Sequence, residues 1–191
     1  AYYFGTGQEI DSFLWVTYFV MLFYGVIIGN WGSAIIPVIT EIRNKDGVEK
    51  EIEFISFIFT WASIVVLSTT VLLYFSAGFF VNILTNFDES RTILAIDILK
   101  IMSLYYLFTS LYNISEVILN SYREFKTPYF LRVILSPLIT IIGVYFFASN
   151  YGINSLIYGN IASFFLILVS VIYFFIKIKV FSNGIVLLFG R

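Results

Sequence analysis

The 191-residue chain has no cysteine, no histidine, three prolines and only 12% charged residues. Each scarcity removes a class of chemistry. Without cysteine there is no disulfide and no thiolate-held metal. Without histidine, zinc sites and imidazole catalysis lose their usual ligands and bases. A soluble domain of this length carries about twice this share of charge. No GxxxxGK[ST] loop occurs, so ATP hydrolysis by that route is excluded. No series of arginines resembles a voltage sensor, and no carbonyl-filter motif such as TVGYG is present. No pair of carboxylates shares one apolar run at a catalytic spacing. The expected class is a transporter rather than an enzyme, with no cofactor, no metal and no nucleic-acid partner.

What the chain does have is apolar length. Hydrophobic residues make up 60% and aromatic residues 20%. Residues 12–40, 54–87 and 133–176 contain no charge at all. A helix crosses hydrocarbon with about 20 apolar residues, and lipid forces every backbone polar group to be satisfied within the protein. The runs are continuous rather than alternating, which predicts helices. The fold class is therefore all-α, a polytopic membrane bundle. The run 133–176 would make roughly 66 Å of helix, too long for one crossing, and Ser149-Asn150-Tyr151-Gly152 divides it. This gives five spans, at about 12–40, 54–75, 92–120, 130–148 and 153–176. The first is expected to break near Pro37, and SAGFFVNIL is expected at the interface. Residues 1–4 read as the end of an earlier helix, so the chain is treated as a fragment of a single membrane domain.

Basic residues orient the spans. Arg43, Lys45, Lys50, Arg123, Lys126, Arg132, Lys177, Lys179 and Arg191 fall on alternate junctions. Arg91 and Lys100 are the exceptions. The positive-inside rule places the first group in the cytoplasm, with Asp11 and NFDES outside.

Polar residues inside the spans are costly and mark cavities or helix contacts. Thr109, Asn113, Glu116 and Asn120 recur at spacings of four, three and four, so they share one face of the third span. That stripe either lines a water-filled cavity, or Glu116 lies a turn from the end and pairs with Arg123 or Arg132. Asp97 and Lys100, three apart, are expected to pair along the helix. Gly25, Gly29 and Gly32, with Ser33 and Ala34, predict a close helix approach. Asn30 beside them needs a partner. Pro37 and Pro137 can bend their helices.

Several of these stretches resemble the MurJ (MviN) family of lipid II flippases, in the superfamily that also holds the MATE transporters. AYYFGTGQEIDSFLW is similar to the end of that family's first helix, a loop and the start of its second, with Phe4-Gly5, Asp11, Ser12 and Phe13 in register. GSAIIPVITEI resembles the end of helix two, with Pro37 and Glu41. VILNSYREFKTP resembles the junction of helices four and five, with Leu119, Asn120, Phe125 and Pro128. The resemblance implies helices two to six of a fourteen-helix fold. The implied function is flipping of an undecaprenyl-diphosphate-linked glycan across a bacterial inner membrane. By the same resemblance, Asp11 would sit at the outer gate, and Asn30, Asn113, Glu116 and Asn120 would line or approach the cavity. Gly25, Gly29, Gly32, Pro37 and Pro137 would permit packing and bending. The sequence also departs from the family. YGVIIGNWGSA has Ile28 where a Glu is usual and lacks the usual arginines, and Glu116 replaces a small residue. These departures leave open a different lipid-linked glycan, a cation-coupled exporter on the same fold, or a membrane scaffold. The oligomeric state is also open.

Overall fold

A computed structural model of the chain describes residues 7–177. Residues 1–6, Lys179 and Arg191 lie outside the described residues, so the reading of a preceding helix end is not addressed. Among the described residues there are helices and no strand. They are α1 (Gln8–Ile27), α2 (Trp31–Asp46), α3 (Val48–Phe75), α4 (Ala77–Leu84), α5 (Glu89–Ser121), α6 (Lys126–Phe130), α7 (Ser136–Tyr151) and α8 (Asn154–Lys177), with a π-helical turn, Leu131–Leu135, joining α6 to α7. Five helical segments are long and apolar enough to cross a membrane, with α1 and α2 together forming the first.

The first span breaks earlier than its proline suggests. Ile28, Gly29 and Asn30 interrupt it, and α2 runs on through Pro37. The Gly29 amide bonds to Tyr24 five residues back. A Cβ on Gly29 would lie 2.9 Å from the Gly25 carbonyl oxygen. This loosened turn needs a residue without a side chain. Pro37 costs only the one bond its missing N–H would have made to the Ser33 carbonyl.

α5 is the axis of the bundle. Its 33 residues make roughly 50 Å of helix, and it packs against α1, α2, α3, α4 and α8. Ala95, Ile98, Leu99, Met102, Tyr106 and Ile118 are buried along it. Outward-facing residues such as Phe57, Leu138, Ile142 and Phe146 stay exposed, as a lipid solvent allows. α4 does not float free. Ala77 and Val81 are buried, and Phe80 joins Phe19 and Phe23 at ring separations of 5.2 and 5.8 Å.

Among the described residues the tightest helix approach lies outside the glycine stripe. Gly25 has open space beside it, and Gly32 makes an ordinary 3.5 Å contact with Val117. The tight contact is between α7 and α8, where a Cβ on Gly159 would lie 3.2 Å from the Thr140 carbonyl oxygen and one on Gly143 3.4 Å from the Gly159 Cα. Ser136–Ser163 and Thr140–Asn160 hydrogen bonds, at 3.0 and 3.2 Å, cross the same seam. Without a hydrophobic force between helices in lipid, such packing and bonding hold the pair.

The basic end is clasped by Arg43. Its Nε donates to Glu51 Oε2 at 2.8 Å, its Nη2 to Glu51 Oε1, and its Nη1 to the Ser121 carbonyl at 3.4 Å. The guanidinium also lies 4.3 Å over the Tyr122 ring. Burial, with the Glu51 carboxylate close by, pushes the Tyr122 phenol up to about 12, so the ring stays neutral. The clasp ties α2, α3 and the end of α5. It places both basic junctions at the same end, consistent with five alternating spans.

The clasp and the α7–α8 seam each set an expected stability change. Glu51 is 1% exposed and Arg43 29%, so Glu51→Ala leaves a guanidinium without its partner and should cost about 2 kcal/mol. It should lower the melting temperature of the detergent-purified protein, whereas Lys45→Ala, in an exposed pair with Glu41, should change it little. Gly159→Val should lower melting by driving its side chain into the Thr140 backbone, while Gly25→Ala should not.

Candidate functional site

A cavity of about 310 Å³ opens between α1, α5, α8 and the π-helical turn. Its polar lining is Tyr24 from α1, Tyr105, Tyr106, Thr109, Tyr112, Asn113 and Glu116 from α5, and Arg132 from the π turn. The stripe on α5 is thus a cavity wall at Thr109, Asn113 and Glu116. The fourth member, Asn120, falls outside the lining. Its carbonyl accepts the Arg123 amide at 3.0 Å, while the Glu124 amide donates to the Leu119 carbonyl at 3.1 Å. This pair of bonds closes the α5 terminus, with Arg123 in the left-handed region at φ 61.

Glu116 satisfies both readings of the sequence. It faces the cavity, and its Oε2 accepts Arg132 Nη1 at 3.1 Å. Arg123 is exposed at the helix end and is not the partner. Arg132 reaches the cavity because the chain widens there. The Ser136 amide bonds to the Leu131 carbonyl five residues back. Pro137 comes next as the second residue of α7, without an N–H for the preceding turn. Tyr112 fixes the approach, donating its hydroxyl to the buried Pro128 carbonyl at 2.6 Å.

Other expected residues lie elsewhere. Asp11 is exposed in the first turn of α1. Asn30 is exposed at the break, its carbonyl accepting the Ser33 hydroxyl at 2.8 Å. Neither lines this cavity. The expected Asp97–Lys100 ion pair does not form among the described residues. Asp97 is exposed, and both residues line a second, more open pocket with Tyr74, Asn154 and Tyr158. The cavity tyrosines were not among the expected residues. Tyr105 and Tyr112 continue the same four-three spacing around Thr109 and would have been found by extending the stripe.

A bundle with lipid-facing apolar sides and five segments long enough to cross a bilayer belongs to the polytopic helical membrane proteins. Similarity to known proteins narrows the class. The Lipid II flippase MurJ family matches residues 1–186, and the chain belongs to that family. A curated relative, the probable lipid II flippase MurJ of Borreliella burgdorferi, is 28% identical over 167 residues, covering 87% of this chain and 33% of the relative. The chain therefore spans about a third of that relative's length.

The absence of cysteine gives a clean test of the cavity. Single variants Asn113→Cys and Ile142→Cys should separate in labelling by a water-soluble maleimide. The cavity position should react at least about tenfold faster, because thiolate chemistry needs water.

Proposed function

We propose that this chain is the N-terminal lobe region of a flippase that moves an undecaprenyl-diphosphate-linked glycan precursor, lipid II or a close relative, across the bacterial inner membrane. The observation that carries the reading is the family match over residues 1–186, joined to a charged cavity in the matched segment. The product would feed peptidoglycan or exopolysaccharide synthesis. Taking a small ion from water into hydrocarbon costs on the order of 20 kcal/mol. A polar cavity removes most of that barrier for the headgroup, while the prenyl tail stays in lipid. Rocking of this lobe against a second one would alternate the access. Asp11 would guard the outer gate, and the basic junctions would lie in the cytoplasm.

A cation-coupled exporter on the same fold is less favoured. That reading needs Glu116 as a free coupling carboxylate, and Glu116 is engaged by Arg132.

Complementation tests the proposal. The full-length protein, expressed in a bacterium depleted of its own lipid II flippase, should restore growth. Absence of rescue, with the protein present in the membrane, would reject lipid II and move the substrate to another lipid-linked glycan.

A further inference from the structure

Among the described residues, two arginine–glutamate pairs bridge different helices, and they differ in kind. Arg43 makes three bonds, two to Glu51 and one to a carbonyl, and has a ring beneath it. Arg132 has one bond, from Nη1 to Glu116, and no other hydrogen-bond partner among the described residues. Its side chain is 54% exposed, against 16% for Glu116. Among the described residues it is also the one basic residue lining the cavity. A guanidinium carries five donors in a planar fork. Four of these remain unengaged and adjoin a cavity whose other polar groups are neutral hydroxyls and an amide.

From this we infer that Arg132 is an anion-binding residue of this lobe, and that Glu116 is a built-in counter-ion which the anion displaces. The ligand chemistry is a diphosphate, and the inference rests on the flippase reading in taking a prenyl diphosphate as its source. A diphosphate oxygen pair can take the guanidinium in two parallel bonds, where Glu116 makes one. The exchange has a structural consequence. The Glu116–Arg132 contact is the ion pair joining α5 to the π-helical turn. Displacing Glu116 removes that tie and leaves the Tyr112–Pro128 hydrogen bond as the hinge, at the place where the backbone is already irregular and Pro137 removes a further bond. Ligand occupancy and the position of α7 are thereby coupled. The pair also keeps the empty cavity close to neutral, so adventitious anions meet a competitor.

The test uses the full-length protein in nanodiscs, with farnesyl diphosphate and inorganic pyrophosphate as probes and dissociation constants as the readout. Arg132→Gln should weaken farnesyl diphosphate binding at least about tenfold, the size of a lost charge-assisted contact. Arg132→Lys should retain part of the affinity. Glu116→Gln should tighten binding by about threefold or more, because it removes a competing charge and leaves a side chain of equal size. A merely structural salt bridge would behave oppositely, with Glu116→Gln and Arg132→Gln both weakening binding, and that result overturns the inference. So does unchanged binding in Arg132→Gln, or no binding of either probe by the wild type. Pyrophosphate binding as tightly as farnesyl diphosphate, with the same Arg132 dependence, upholds the site and assigns it a soluble source. Absence of complementation with the anion site behaving as stated rejects lipid II as the substrate and leaves the anion site standing.

Discussion

Hydrocarbon offers the backbone no hydrogen-bond partner, and the arrangement of this chain is governed by that constraint. Wherever a segment faces lipid it is a regular helix, as α3 and the outer face of α7 are. The two irregular stretches inside the spans, the Gly29 turn and the π-helical turn before Pro137, each carry an amide bonded five residues back instead of four, Gly29 to Tyr24 and Ser136 to Leu131. A π-helical turn inserts extra length and rotates the helix beyond it. In the second case that rotation brings a basic side chain from the edge of a span to the cavity. The irregularity lies in the segment that carries the charge.

The same constraint separates the two arginines. A charge near lipid is tolerable when its nitrogens are engaged, and each of Arg43's three is, by a carboxylate or a carbonyl, with an aromatic face beneath. Such a group is structural, since moving it exposes all its partners at once. Arg132 makes one contact next to a polar cavity, where water supplies the rest. Its pairing with Glu116 is stable enough to neutralise both groups and weak enough to be exchanged. The number of engaged donors, three against one, separates the pairs.

Much of this architecture is legible in the amino-acid sequence. The charge-free runs define helices, and the spacing of Thr109, Asn113 and Glu116 defines a face. The expectations that failed depend on relations between helices. Gly25, Gly29 and Gly32 have the spacing of a packing face, and Gly32 meets Val117 of α5, but the tightest approach among the described residues is at Gly143 and Gly159. A stripe shows that approach is possible, not which neighbour arrives. Pro37 was a reasonable place for a break, but one lost bond disturbs a helix less than a glycine pair in a loosened turn. Asp97 and Lys100 show that sequence proximity on a helix does not compel pairing. Arg132 was recognisable only as a possible partner of Glu116, because nothing in a linear pattern announces a π-helical turn.

The departures from the family pattern fit together in space. In the second helix of the family pattern, Ile28 stands where a carboxylate is usual and the neighbouring arginines are absent. In the fourth, Glu116 stands where a small residue is usual. Taken singly, one change subtracts charge and the other adds a carboxylate. The geometry reconciles them, because Glu116 does not stand alone but faces Arg132. The cavity of this lobe thus carries a cation and its own counter-ion on adjoining elements, α5 and the turn before α7. A charge lost from one helix of a bundle can be supplied from another, provided the backbone aims it at the same space. Here the aim comes from the π-helical turn, and the restraint on the charge comes from Glu116.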